Sequence, residues 1–318
     1  MNVTDIPFRP PCAHAEIESP PHAQAVEQHV IEWAETQQLV RDSGFHSQLI
    51  SSKFGWLAAR CYPYASMSLL NTIADFLTWL YLVDDRLFDR AQRIPRAIIA
   101  DVSGIWNVQG RQDTAPSAEP LQNAWHDICL RLLKHLGAVW LHHFMTNVRM
   151  IYGANTLKII GQLHELAIDK HDYETIRYYT SGLVPCFDFY GTSEGYQLRD
   201  EDRYDLNLQI LSRQANIIIA LANDIHSYTH EARQRGRYEN LICLHLHQGH
   251  TLEQAHQLVS DAIECHLKNF DALSEHMLHT SNPRIQRYIK ELQHWIIGYQ
   301  YWVFNDTCRY VCISANDL

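Results

Sequence analysis

Two short stretches hold the residues best able to do chemistry. Residues 79–89 are WLYLVDDRLFD, an apolar and aromatic run that ends in Asp84 and Asp85, with Asp89 following. Adjacent carboxylates after a buried run are costly unless a cation meets them. Their hard oxygens suit Mg²⁺, which takes one or two carboxylates and leaves its other positions to water and phosphate. At roughly 100° per residue, Asp85 and Asp89 share a helix face, whereas Asp84 and Asp89 stand about 140° apart. A regular helix therefore cannot aim all three at one ion: either it ends near Phe88, or only one or two of the acids are ligands. A solvated helix end would carry the same letters.

The second stretch, LANDIHSYTHE at 221–231, places Asn223, Ser227 and Glu231 at i, i+4 and i+8. The drift over the three is about 80°, so an amide oxygen, a hydroxyl and a carboxylate project from one stripe of one helix. The preceding IIIALA should pack in a core, which opens the polar stripe at the inner end of a buried helix. An ordinary amphipathic helix could show this pattern too, but finding it together with the acidic motif in one chain is much harder to obtain by chance. A third stretch, CLHLHQGH at 243–250, spaces Cys243, His247 and His250 as a helix would for zinc, with no fourth ligand evident.

Helices must position these groups. Apolar residues recur at three- and four-residue spacing, while period-2 alternation is nearly absent, so the expected fold class is all-α. Helical segments are expected over about 22–42, 47–60, 64–88, 94–108, 119–151, 154–169, 173–182, 203–235, 239–248, 251–280 and 283–310. The expected breaks are Gly44, Pro63, Pro95, Gly110 to Pro120, Gly153, Gly191 to Gly195, Gly236 and Asn282-Pro283. Five of the eleven prolines fall in the first 21 residues, which predicts an extended N-terminal arm over 1–21, and no linker long enough to divide the rest is visible, so a single helical domain is expected over 22–318.

Composition narrows the partners. A net charge of −10 with no basic cluster argues against a nucleic-acid or anionic-membrane surface. No signal-peptide core and no membrane-spanning apolar run is visible, so the expected location is cytoplasmic. Eight cysteines at 12, 61, 129, 186, 243, 265, 308 and 312 form no CxxC pair and are expected to be reduced thiols.

With these motifs in place, the chain resembles the microbial class I terpene synthases over nearly its whole length. The 84–89 acids look like that family's aspartate-rich motif, and Asn223, Ser227 and Glu231 match its NDxxSxxxE triad position by position. Gly236, Asn240-Leu241, Trp295, Gly298, Trp302 and the Arg309-Tyr310 pair match the residues that follow. Arg60, Tyr62-Pro63 and Asp75 look like the family's entry to the motif helix. The segment ETIRYYTSGLVPC resembles the family's diphosphate-sensing segment, with Arg177 as sensor, Thr180 as linker and Ser181 as the residue whose carbonyl meets the substrate. The acidic motif is spaced DDxxxD rather than DDxxD, so Asp84 keeps the matching place and Asp89 is shifted. His230 stands where the family commonly has Lys; an uncharged imidazole would hold diphosphate less strongly.

The resemblance implies a helical bundle around a central apolar cavity. It also implies three Mg²⁺ ions, replaceable by Mn²⁺, held by Asp84 with Asp85 and Asp89 and by the triad. The substrate would be a linear prenyl diphosphate, met by Arg177, His230, Arg309 and Tyr310. Departure of diphosphate would leave an allylic cation, which needs a dry cavity with aromatic faces; Phe76, Tyr81, Phe187 and Trp302 are the candidates. A homodimer is compatible with it. Family frequency favours farnesyl diphosphate and a sesquiterpene product, with geranylgeranyl diphosphate next. A prenyl diphosphate synthase would carry a second aspartate-rich motif where this chain has Asn, Ser and Glu. A non-catalytic isoprenoid-binding protein would not need intact oxygen donors at both motifs.

Overall fold

The run from Met67 to Val83 is apolar enough to be buried on most of its circumference, and its start is marked by Ser66, whose side chain accepts from the Leu69 amide. It is the central helix, α4, of an N-terminal unit spanning Ile17–Leu163. The computed structural model describes residues 20–88, 119–164, 168–192, 198–231 and 240–310. In chain order the N-terminal unit has α1 (Ala23–Thr36), α2 (Ser43–Ser52), α3 (Phe54–Cys61), α4 and α5 (Pro120–Leu163). A second unit, which includes His164–Leu318, has α6 (Lys170–Thr180), α7 (Leu183–Asp188), α8 (Asp200–Arg203), α9 (Leu206–Glu231), α10 (Leu241–His247), α11 (Leu252–Thr280) and α12 (Pro283–Tyr301). No strand occurs among the described residues, and no described helix is long and apolar enough to cross a membrane.

In the N-terminal unit α4 packs on α1, α3 and α5. Phe76, Trp79, Trp125 and Phe144 form a wholly buried aromatic cluster, with Trp79 and Trp125 stacked at 4.6 Å between ring centroids. The approach of α3 to α1 demands a glycine: a Cβ on Gly55 would lie 2.5 Å from the backbone of Glu27, whose carboxylate accepts from the Gly55 amide. Buried polar groups are matched nearby. Asp75, fully buried on α4, accepts from His29 Nε2 at 2.9 Å and from Arg131 at 2.7 Å, and Arg131 also reaches Asp127 at 2.6 Å. This charge cluster ties α1, α4 and α5 together. Asp75→Ala should lower unfolding stability by about 3 kcal/mol, because it removes the buried carboxylate from His29 and leaves Arg131 with Asp127 as its remaining acidic partner; denaturant titration of the variant checks this.

The expected helices are present where the pattern was longest, with instructive differences. The segment at 47–60 is two helices, split at Lys53, whose left-handed backbone (φ 56°) turns the chain so that α3 can lie on α1. The break expected at Gly153 does not occur: α5 runs through it, and the interruption falls at Gly137 (φ 82°). Nothing lies within 4 Å of the position a Cβ on Gly137 would take, so it is backbone conformation and not space that calls for glycine there. The last helix gives way at Trp302 to a π-helical turn, Trp302–Asp306, and does not continue to 310. The 94–108 segment, and the 1–21 arm except for its last two prolines, lie outside the described residues. Among the described cysteines all six are free thiols, four of them buried.

Candidate active site

The C-terminal unit is organised around α9. Its stretch from Asn216 to Ala222 is buried and packs against α6, α11 and α12, so residues just beyond it emerge at the end of a core helix. Asn223, Ser227 and Glu231 follow on one stripe, as their spacing requires. Ser227 Oγ donates to the Asn223 carbonyl at 2.7 Å, and Glu231 accepts from the Asn240 side chain at 2.9 Å.

Asn223 is the meeting point of three distant segments. Its Oδ1 accepts from Arg177 at 2.8 Å, and its Nδ2 donates to the hydroxyls of Tyr310 at 2.9 Å and Tyr299 at 3.2 Å. The structure therefore brings together three residues singled out in the sequence: Asn223, the expected sensor Arg177 and the expected diphosphate donor Tyr310. Arg309 lies next to them in chain order on the turn after Thr307, half-buried, its amide donating to the Thr307 hydroxyl. Arg177 comes from the last turn of α6, which stops at Thr180. Gly182 then adopts a left-handed backbone (φ 75°) and α7 starts at Leu183. The break is pinned to α9: Ser181 Oγ lies 3.1 Å from Asn216 Oδ1, and Asn216 Nδ2 donates to the Tyr178 carbonyl.

Asp224 was not singled out in the sequence, yet it holds this arrangement. It is fully buried, accepts from Arg177 Nε at 3.0 Å, from the Tyr173 hydroxyl at 2.5 Å and from the Leu241 amide at 3.2 Å, and its carbonyl accepts from Asn240 at 2.6 Å. Asn240 also caps α10 through the Ile242 amide. The signal in the sequence was an acid following an apolar run, one residue past Asn223 and so turned about 100° toward the core.

Charge at this end of α9 is unbalanced. Burial, and next the neighbouring Asp224, push the Glu231 carboxyl up to about 7, against the lowering effects of Arg177, Asn240 and Ser227. Burial also raises Asp224, opposed by Arg177 and by hydrogen bonds from Tyr173 and Leu241. Two buried carboxyls thus share one guanidinium. The donor set on the stripe is an amide oxygen, a hydroxyl and a carboxylate, all hard, and the missing positive charge is what a divalent cation supplies; the residues fit such an ion.

Asp84 and Asp85 sit in the N-terminal unit, half-exposed, on a π-helical turn (Asp84–Phe88) that continues α4. The regular-helix angles used for the acidic motif do not hold in this wider turn, which is a common local irregularity at functional sites. Arg86 anchors it by donating to the Leu39 carbonyl at 2.6 Å and lying over the Phe45 ring. Asp89, Gly236 and the His230 side chain lie outside the described residues. Among the expected aromatics, Phe76 is walled in by Trp79, Trp125 and Phe144, and Tyr81 stacks on Phe54 at 4.6 Å. Phe187 packs on Tyr190 and Trp295, and Trp302, fully buried, stands perpendicular to Tyr310 at 6.0 Å. Cys243, His247 and His250 form no metal-holding group among the described residues; His247 Nδ1 donates instead to the Cys243 carbonyl.

The fold is the all-α fold of the class I terpene synthases. The structure of 2-methylisoborneol synthase from Streptomyces coelicolor A3(2), in complex with Mg²⁺ and 2-fluoroneryl diphosphate, superposes with a TM-score of 0.80 at 16% identity, over 93% of this chain and 96% of that one. Residues 75–269 match the family model described as terpene synthase family 2, C-terminal metal binding, and the chain belongs to the terpene synthase family. It is 33% identical over 293 residues, 91% of each chain, to a farnesyl-diphosphate-cyclizing (+)-corvol ether B synthase/(+)-corvol ether A synthase of Kitasatospora setae. A sesquiterpene synthase of Metarhizium brunneum is 31% identical over 303 residues, 93% of this chain and 88% of the relative. Membership makes the protein an enzyme of the carbon–oxygen lyase class acting on phosphates.

Proposed function

We propose that this chain is a magnesium-dependent sesquiterpene cyclase that ionises farnesyl diphosphate and cyclises the resulting cation. The observation that carries this reading is the convergence of Arg177 and Tyr310, 46 and 87 positions away in sequence, on the single side chain of Asn223. Farnesyl diphosphate as substrate is supported by the printed activity of the Kitasatospora relative. The reading includes three Mg²⁺ ions, replaceable by Mn²⁺, a single catalytic domain over 22–318 and a cytoplasmic location.

Asn223, Ser227 and Glu231 would hold metal on α9, and Asp84, with Asp85 and Asp89, would supply the other carboxylates. The metal, when bound, contributes the positive charge that stabilises the departing diphosphate. Arg177, Arg309 and Tyr310 donate hydrogen bonds to diphosphate oxygens, as does His230 when protonated. Those bonds strengthen as the allylic C–O bond breaks and its electron pair leaves with the diphosphate. The Ser181 carbonyl, at the α6–α7 break, faces the substrate. Trp302 and the other aromatic faces offer the cation negative quadrupoles without a nucleophile, and loss of a proton or capture of water ends the reaction.

The test offers ten-, fifteen-, twenty- and twenty-five-carbon diphosphates with magnesium, and follows diphosphate release together with the organic product by gas chromatography and mass detection. The expected result is diphosphate release from the fifteen-carbon substrate with a cyclic C15 product, abolished by chelator. Longer prenyl diphosphates as product would show a chain-elongating enzyme, preference for the twenty-carbon substrate a diterpene synthase, and binding without release a non-catalytic protein.

A further inference from the structure

His226 lies on α9 three residues after Asn223 and one before Ser227, and nothing in the proposed chemistry uses it. Its ring meets three others, all from the C-terminal end of the chain. It stands perpendicular to Phe304 at 5.2 Å, tilted to Tyr299 at 6.3 Å and tilted to Tyr310 at 6.4 Å. Two of these three tyrosine and phenylalanine neighbours, Tyr299 and Tyr310, are the ones whose hydroxyls accept from Asn223. Residues at i and i+3 are neighbours on a helix surface, so one patch of α9 grips Tyr310 twice, by its hydroxyl through Asn223 and by its ring through His226.

We propose that His226 is a positioning residue, an aromatic post on the triad helix against which the segment from Trp302 to Tyr310 docks, setting the Tyr310 hydroxyl beside Asn223. This rests on the diphosphate-binding role assigned to Tyr310 above. Three features favour a packing role for the imidazole. Its Nε2 is buried without a hydrogen-bond partner, so no polar contact through that atom explains its place. Edge-on and tilted arrangements at 5–6.5 Å are those in which rings attract one another. Phe304, half-exposed and therefore poorly anchored by burial alone, has its ring set edge-on to His226.

The experiment compares His226→Phe, which keeps a ring, with His226→Ala, which removes it. The first readout is hydrogen exchange of amides 300–310 in the ligand-free protein, with the thermal midpoint as a control for folding. His226→Ala should exchange at least tenfold faster across 300–310 than wild type, while His226→Phe stays within about threefold of wild type. The second readout is the dissociation constant for inorganic diphosphate in excess magnesium, by calorimetry. It should rise about tenfold in His226→Ala and not in His226→Phe. In a Tyr310→Phe background the alanine change should have little further effect, because residues acting through one another are not additive. Equal impairment of the Phe and Ala variants, unchanged exchange in His226→Ala, or fully additive losses with Tyr310→Phe would each overturn the proposal. The exchange measurement needs no substrate, so the docking role is judged even if wild-type protein releases no diphosphate from any prenyl substrate, the outcome that would sink the cyclase reading.

Discussion

Alanine at Asn223 or at Glu231 should lower magnesium-dependent turnover by about a thousandfold or more, equivalent to about 4 kcal/mol of lost transition-state stabilisation. Neither change should cost the fold much. Asn223 Oδ1 is the oxygen that Arg177 occupies here, and removing the amide deletes one hard donor and one hydrogen-bond partner of the guanidinium and of the two tyrosine hydroxyls gathered around it. Glu231 is the more telling case, because its carboxyl is held up to about 7 by burial and by Asp224. A folded-state value above the ordinary 4.5 means that this group favours the native state least when ionised. Its contribution is fully present below about pH 4.5 and is lost as pH rises through about 7. In metal-free protein, therefore, Glu231→Ala should be at least as stable as wild type at pH 8, and the difference between the two should shrink toward pH 5. Denaturant titrations at the two pH values, beside single-turnover assays, check both halves. An alanine variant at either position with near-wild-type turnover would remove the triad from the site.

Asp224→Ala should behave in the opposite way, losing stability and activity together. The Asp224 side chain is fully buried and takes hydrogen bonds from Arg177, Tyr173 and the Leu241 amide, so its removal takes the carboxylate from a largely buried guanidinium and an acceptor from a buried phenol and from the first amide of α10. Breaking a buried pair on one side costs about 3–5 kcal/mol. Activity falls because Arg177 loses the carboxylate that fixes its Nε, and a sensor that samples several rotamers meets the diphosphate less often in the right geometry. Asp224→Asn keeps the shape and two acceptor lone pairs, so it should recover part of the stability while leaving Glu231 as the carboxyl nearest in charge to Arg177. Thermal and denaturant unfolding, with turnover measured well below the midpoint of each variant, separates the two effects. Wild-type stability in Asp224→Ala would show that the network contributes nothing to the unit.

How much of this was legible beforehand follows from the range of the forces involved. The all-helical class, the existence of α4, α9, α11 and α12, and the alignment of Asn223, Ser227 and Glu231 on one stripe were determined by the sequence itself, because 3.6 residues per turn is a local property of the backbone. So was the oxygen character of the donors, which depends on residue type alone. The tertiary structure alone decided that Arg177, Tyr299 and Tyr310 meet at Asn223, since contacts spanning 46, 76 and 87 residues depend on how helices pack. It alone exposed Asp224, whose neighbours come from α6 and α10 and leave no trace in local spacing. Gly153 and Gly137 make the same point within α5: both are glycines in a helical stretch, and only the second takes a left-handed φ, a choice their identical chemistry does not encode. Near Asp84, likewise, the sequence supplied the acids, and only the structure shows that they stand on a π-helical turn continuing α4, with Arg86 bonded to the carbonyl of Leu39.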